Sequence, residues 1–243
     1  AYTLVPAFRT VKDADTCRAW AFVRSMTLAL FVFFGLLALA GALFPDQAAL
    51  VLAPGLHAAP QVLNTASAFM VMCLLSLPPV SGAAVNSAAL MAEGCFRPPA
   101  YASAVFNATV ILSAGAAFVL FGSGNSRAAC MLCGGAIAAG AVQWGYQAYF
   151  LKRRGFTLAG PVACRAPGFI RAMRLWPGSG LAVSGHQINL IIAAFLASFL
   201  AEGAISSLYF AERLAFLALG IIGAPMGLAV LSDLAALAAS LNG

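Results

Sequence analysis

The sequence has very little charge. Only 8% of its 243 residues are Asp, Glu, Lys or Arg, whereas about 25% is usual in a soluble domain. Hydrophobic residues make up 63% of the chain, and they occur in long runs that a water-facing surface cannot accommodate. These proportions exclude a soluble globular protein. They predict an all-α, polytopic membrane protein, because a helix satisfies its own backbone hydrogen bonds in lipid.

Residue types that carry out catalysis are also scarce. The chain has two His and seven Asp and Glu residues, and they form no cluster with the spacing of metal ligands. The sequence contains neither a nucleophile elbow nor a phosphate-binding glycine loop. The one close cysteine pair, Cys130 and Cys133, has no second pair or His nearby, which disfavours a redox or metal role. We therefore expect no enzymatic activity, no metal and no cofactor.

Long apolar runs predict six transmembrane helices, since about 20 residues cross the hydrocarbon core of a bilayer. The spans lie at about 20–44, 64–91, 100–121, 128–150, 177–200 and 206–231. A basic stretch at 151–176 separates the fourth span from the fifth, and its segment 168–176 is typical of a short interfacial helix. The double proline at 78–79 predicts a kink or break inside the second span. Trp20 and Arg24, near the start of the first span, are expected at headgroup level.

Positive charge is distributed unevenly between these spans. If residues 1–18 are cytoplasmic and every span crosses, 11 Lys and Arg residues lie on the cytoplasmic side and only Arg127 lies on the other. The 11 are Arg9, Lys12, Arg18, Arg24, Arg97, Lys152, Arg153, Arg154, Arg165, Arg171 and Arg174. This asymmetry follows the positive-inside rule and places residues 1–18 and 151–176 in the cytoplasm. It also accounts for the net charge of +6 without a nucleic-acid partner.

Two adjacent ionisable residues, Glu212 and Arg213, lie inside the sixth span, after the polar break Ala201-Glu202-Gly203. Charges inside a membrane are costly and usually line a cavity or a pathway. Neighbours on a helix point about 100° apart, so at least one of the two must face another helix, water or a substrate. Arg213 lies roughly 10 Å deep at a rise of 1.5 Å per residue, and its forked donors suit a phosphate. The alternative is that the pair snorkels to the headgroups.

Two amides in the fifth span, Gln187 and Asn189, are further candidates for a substrate path. A polar side chain inside a span either lines such a path or hydrogen bonds to a neighbouring helix, and the second possibility stays open for both. The adjacent His186 has no partner that the sequence identifies, which disfavours a proton relay.

Motifs along nearly the whole chain resemble the MurJ/MviN lipid II flippases, which belong to the multidrug/oligosaccharidyl-lipid/polysaccharide exporter group. The most specific stretch is 187–214, which contains QINLII, ASFL, EGAIS and YFAERL. Further matches are VPAF at 5–8, APGL at 53–56, and FRPPA at 96–100 followed by Asn107.

The resemblance implies six helices that form part of a two-lobe flippase bundle, corresponding to helices three to eight of the family. Residues 1–150 would end the first lobe, 151–176 would be the cytoplasmic linker, and 177–243 would start the second lobe. The chain starts at Ala1 with no initiator Met and no signal-peptide pattern. We therefore expect the missing helices to belong to the same full-length protein.

The resemblance also implies a function. Such a protein would move lipid II, a polyprenyl-pyrophosphate-linked peptidoglycan precursor, from the inner to the outer leaflet of the bacterial cytoplasmic membrane by alternating access. Arg213 would be a cavity arginine, with Glu212 in place of the usual Asp. The partners would be the lipid-linked oligosaccharide and membrane lipids. Two alternatives stay open: an exporter of the same group for a drug or another polyprenyl-linked glycan, and a non-transporting membrane scaffold.

Overall fold

A computed structural model describes part of the chain, including the backbone but not the side chains of Thr16, His186 and Ala218. The described residues are 4–5, 8, 11–12, 15–122, 125–157, 159–162, 169–170, 173–174, 178, 184–200 and 203–218. The helices are α1 (Thr16–Leu43), α2 (Pro45–Leu52), a 3-10 helix (Pro54–Ala58), α3 (Pro60–Leu74), α4 (Leu77–Ala92), α5 (Arg97–Phe121), α6 (Ser126–Lys152), α7 (Gly185–Ala197) and α8 (Ala204–Ala218). No strand occurs within the described ranges, which confirms the all-α prediction.

Four helical segments are long and apolar enough to cross a membrane. They are Cys17–Leu43, Pro60–Ala92, Arg97–Phe121 and Ser126–Lys152, and they match the first four predicted spans. The outer surface of α5 is strongly apolar, because Ile111, Leu112 and Val119 are each more than two-thirds exposed. Such a surface is stable against lipid and not against water. The chain is therefore a polytopic membrane protein.

The predicted fifth and sixth spans are described only in part. The helices α7 and α8 fall within them, but residues 179–183 and 219–231 lie outside the described residues. Ala201 and Glu202 of the predicted polar break also lie outside, as does most of the linker at 163–177. The count of six spans and the division into two lobes therefore stay predictions.

The helix ends follow from local sequence. Asp15 and Asn125 precede α1 and α6, and each side chain accepts a hydrogen bond from the backbone N–H two residues later, at 2.8 and 3.0 Å. Pro45 and Pro60 begin α2 and α3, where the N–H that proline lacks has no helical partner. Gly122 ends α5 with φ of +72°, a conformation that glycine adopts without strain.

The second predicted span breaks between α3 and α4, as the double proline predicts. The helix stops at Leu74 and restarts at Leu77, so the prolines at 78–79 fall in the first turn of α4. Their missing donors are not needed there. The hydroxyl of Ser76 donates to the Cys73 carbonyl at 2.6 Å and so satisfies a carbonyl at the end of α3.

Within the described residues, α6 packs against α3, α4 and α5, and α1 packs against α3 and α4. Small residues allow these close approaches. Gly135 of α6 lies against Ser113 of α5, and Gly140 of α6 lies against Val80 of α4. The buried amide of Asn86 on α4 donates to the Trp144 carbonyl of α6 at 3.5 Å, an interhelical bond of the kind expected for a polar residue in a span.

The two ends of this bundle differ in charge. The starts of α1 and α5 and the ends of α4 and α6 lie together, and we call this the basic end. Among the described residues, it carries Lys12, Arg18, Arg24, Arg97, Lys152, Arg153 and Arg154. The opposite end, where α1 ends and α6 begins, we call the distal end, and Arg127 lies there. The asymmetry predicted for the spans is therefore present in the folded bundle.

A well-buried core lies at the basic end. Trp20 packs against Phe8 and Phe156, with ring centroids 5.6 and 5.7 Å apart. The residue is only 8% exposed, so protein, and not lipid headgroups, surrounds the ring that was predicted to lie at headgroup level. Phe169 and Met173, which belong to the predicted interfacial helix, also pack against this core.

Arg24 differs from the prediction too. Its Nη1 and Nε donate to the carbonyls of Thr157 and Pro161, at 2.8 and 2.9 Å. The guanidinium is therefore bound to the protein backbone rather than directed to headgroups, because the turn after α6 places two carbonyls within its reach. Arg24 joins α1 to the first residues of the predicted linker.

Candidate functional site

Arg213 lies on an exposed face of α8, about 14 Å from the start of the helix at 1.5 Å per residue. Its guanidinium stacks over the ring of Tyr209 at 4.8 Å, and Nη2 donates to the Tyr209 hydroxyl at 2.5 Å. Phe210 and Leu214 beside it are both about two-thirds exposed. A positive charge is thus fixed on an otherwise apolar surface.

Glu212 faces a different way from Arg213, as the helical rotation requires. It is half-buried and lines a cavity of about 270 Å³ between α2, α7 and α8. The rest of the cavity lining is formed by Leu52, Leu190, Ile191, Ala194, Ile205, Leu208 and Tyr209. Tyr209 therefore lines the same cavity as Glu212 and also contacts the Arg213 guanidinium.

The structure does not bring Gln187 and Asn189 into this cavity. Both side chains are exposed on α7, and they point to nearly opposite sides because two residues rotate a helix by about 200°. Gln187 lies on the same side as Ile191, one turn below the cavity. It is about 15 Å from the end of α7, the same depth at which Arg213 lies on α8.

A close contact links the α7–α8 pair to the rest of the bundle at the distal end. The backbone N–H of Gly55, in the 3-10 helix, donates to Ser198 Oγ at 3.0 Å. A Cβ at position 55 would lie 1.9 Å from the Ser198 carbonyl oxygen. The end of α7 is therefore fixed to the loop between α1 and α3, and the connection to α8 starts on that side.

Sequence reasoning missed two of these features. The Tyr209–Arg213 pair had a signal, because residues four apart share a helix face and a ring there can hold a guanidinium. The Gly55–Ser198 contact joins residues 143 positions apart. Neither the APGL motif that contains Gly55 nor the ASFL motif that contains Ser198 predicts a contact with the other. Three-dimensional packing alone reveals it.

The candidate site combines a held positive charge with nearby polar groups. Arg213 offers a permanent charge with a planar set of donors, and Tyr209 keeps that charge in one orientation. Glu212 and Gln187 add polar groups within the depth range of Arg213. No group of three or more His, Cys, Asp or Glu that could bind a metal occurs among the described residues.

Comparison with known proteins identifies the relatives of this chain. The family model for lipid II flippase MurJ matches residues 2–243. A probable lipid II flippase MurJ of Buchnera aphidicola is 26% identical over 214 residues, covering 88% of this chain and 41% of the relative. The Aquifex aeolicus protein of the same description is 29% identical over 197 residues, covering 80% of this chain and 38% of the relative. The Vibrio cholerae protein is 34% identical over 100 residues, covering 41% and 19%.

The chain thus spans about two-fifths of the length of the Buchnera and Aquifex relatives. The match nevertheless extends across both the four-span bundle and the α7–α8 pair, including the residues of the candidate site. The chain belongs to the lipid II flippase MurJ family.

Proposed function

We propose that this protein takes part in flipping lipid II from the inner to the outer leaflet of the bacterial cytoplasmic membrane. The observation that carries the proposal is the family match over residues 2–243. The basic end would be cytoplasmic, with residues 1–18 and 151–176 on that side, as the distribution of Lys and Arg supports. Helices outside this chain would complete the two-lobe bundle.

The physical task is to move a pyrophosphate-sugar head through about 30 Å of hydrocarbon without breaking a bond. Arg213 would lower the cost of this transfer, because a guanidinium stays charged in apolar surroundings and pairs with two phosphate oxygens at once. Gln187, at a similar depth on α7, would hydrogen bond to the sugars. Glu212 would add a polar group in the adjoining cavity, whereas Asn189, on the opposite side of α7 from Gln187, would hydrogen bond to a neighbouring helix.

The first prediction concerns Arg213. In cells depleted of their own lipid II flippase, the complete gene carrying Arg213→Ala should support flipping at a rate about tenfold or more below wild type, since a charged hydrogen bond is lost. Arg213→Lys should retain part of the rate, because it keeps the charge and loses the fork. The measurements are growth and the amount of lipid II that reaches the outer leaflet.

The matched control is Arg127→Ala, which removes a positive charge at the distal end, in the first turn of α6. This variant should grow as wild type does. Equal growth and equal lipid II flipping for Arg213→Ala and wild type would contradict the role of Arg213. Failure of the wild-type gene itself to restore flipping would instead favour another substrate.

A further inference from the structure

A second cluster of arginines lies away from α8, at the basic end of the bundle. Arg97 begins α5, and Arg153 and Arg154 directly follow α6. All three line one cavity of about 580 Å³, which we call the arginine pocket. No Asp or Glu is among its described lining residues. The pocket therefore concentrates positive charge that the described lining does not neutralise.

Glu93 is the carboxylate nearest in sequence to Arg97, and it pairs with a residue outside the arginine pocket. Oε1 of Glu93 lies 2.7 Å from Nζ of Lys12, an ion pair without the directional geometry of a hydrogen bond. The pairing draws Glu93 towards the N-terminal residues, beside the core of the basic end. Glu93 therefore does not neutralise the arginines of the pocket, and an anionic ligand can pair with them.

Two of the three guanidiniums are held by neighbouring side chains. Arg153 stacks over the ring of Tyr149 at 4.7 Å and donates to its hydroxyl. Arg154 donates to Sγ of Cys95 at 2.7 Å. A guanidinium has five N–H donors, so one such bond leaves most of its donors for a ligand. The fixed orientations lower the entropy that binding an anion would cost.

The remainder of the pocket is apolar. Phe96 and Phe150 line it together with the arginines, and Phe96 is 59% exposed. The pocket lies at the start of one candidate membrane span and the end of another, which is the level where headgroups meet acyl chains. A ligand that fits both halves carries a phosphate and a hydrocarbon chain.

We propose that the arginine pocket binds the phosphate of an anionic membrane phospholipid at the basic end, with the lipid chain lying against the two phenylalanines. Arginine pairs with phosphate oxygens through two parallel hydrogen bonds, and basic pockets between membrane helices favour anionic headgroups. A soluble phosphate would use the arginines and leave Phe96 facing water. This site is separate from Arg213, and it stands whether or not the transport proposal holds.

The test uses the purified protein, with any flanking sequence that its gene encodes, in nanodiscs containing phosphatidylglycerol and phosphatidylcholine. Lipid retained after detergent extraction is counted by native mass spectrometry. The wild type should retain phosphatidylglycerol in preference to phosphatidylcholine. The triple variant Arg97→Gln, Arg153→Gln and Arg154→Gln should lose at least about tenfold of that preference, and Arg127→Gln should keep it.

Two further arms secure the result. The triple variant Arg97→Lys, Arg153→Lys and Arg154→Lys keeps the positive charge and loses the planar guanidinium groups, so its preference for phosphatidylglycerol should be intermediate. Its elution volume in size-exclusion chromatography should equal that of the wild type. Inorganic pyrophosphate at millimolar concentration should not displace the lipid. Unchanged preference in the Gln variant would overturn the proposal, and so would displacement of the lipid by pyrophosphate, which would identify a site for soluble phosphates.

Discussion

Gly55 occupies a position where any side chain is too large. The carbonyl oxygen of Ser198 would lie 1.9 Å from a Cβ at this position, and the backbone nitrogen of Phe199 would lie 2.8 Å from it. Both neighbouring atoms are backbone atoms, so neither can move aside by a rotamer change. The distal contact between the 3-10 helix and α7 therefore requires glycine, which has a hydrogen atom where other residues have a Cβ.

The second prediction is that Gly55→Ala weakens this contact. The methyl group should push the 3-10 helix away from α7 and destabilise the protein by about 1–3 kcal/mol, as overpacking usually does. Hydrogen exchange of residues 54–58 should become faster, because the Gly55 amide loses the Ser198 hydroxyl as acceptor. Thermal unfolding in detergent and exchange mass spectrometry measure the two effects.

Gly35→Ala is the control at the same scale. Gly35 lies within α1, and nothing lies within 4 Å of a Cβ placed there. Alanine should therefore leave the stability unchanged or raise it by up to about 1 kcal/mol through helix propensity. If both glycine variants unfolded at the same temperature, the close approach at Gly55 would not constrain the fold.

At the scale of elements, α5 and α6 pack closely where a glycine of α6 meets a serine of α5. Gly134 and Gly135 are adjacent on α6 but have different surroundings. A Cβ at 135 would lie 2.0 Å from Ser113 Oγ, whereas nothing lies within 4 Å of a Cβ at 134. One face of the helix therefore requires glycine for packing, and the neighbouring face does not.

The third prediction uses this pair. Gly135→Ala should separate α5 from α6 and cost about 1–3 kcal/mol. Gly134→Ala should be neutral or stabilising by up to about 1 kcal/mol. The two unfolding midpoints in the same detergent give the comparison, and a lower midpoint for the Gly134 variant would contradict the packing described here.

The sequence predicted elements better than it predicted contacts. The four apolar runs gave the four long helices within a few residues, because hydropathy determines which segments cross lipid. The double proline predicted the break between α3 and α4 for a local reason. The protein surroundings of Trp20 were not predicted, because an aromatic ring near a span end suits both the headgroups and a protein core, and local sequence does not distinguish them.

The candidate site was predictable to a similar extent. Glu212 and Arg213 were identified because they are ionisable residues inside an apolar run. Helical geometry predicted that their side chains point in different directions. The partners of these residues depend on which helices become neighbours. For this reason the cavity beside Glu212 and the arginine pocket became visible only in the fold, whereas the i, i+4 spacing of Tyr209 and Arg213 was a signal in the sequence.

At the scale of the whole molecule, Arg24 joins the four-span bundle to the segment that leads towards α7. Its bonds to Thr157 and Pro161 fix that segment against α1. A Cβ at Gly160 would lie 2.7 Å from the guanidinium carbon, so the turn closes tightly around the arginine. The path of residues 157–161 beside α1 is thereby set.

The fourth prediction is that Arg24→Ala releases this segment. Amide hydrogen exchange between residues 155 and 162 should accelerate about tenfold or more, since hydrogen bonds to a charged group are lost. Arg18→Ala is the control, because Arg18 is largely exposed and, among the described residues, pairs with Asp15 at 3.5 Å. Equal exchange in both variants would contradict the anchoring role of Arg24.

The Gly55–Ser198 contact also determines how motion would be distributed. A junction at one end of two neighbouring units acts as a fulcrum, and displacement grows with the distance from it. The 13 residues of α7 form a lever arm of about 20 Å. If the junction stays closed, a swing of about 10° moves the far end of α7 by about 3.5 Å over that arm. Under that condition the distal junction is displaced least and the far end of α7 is displaced most.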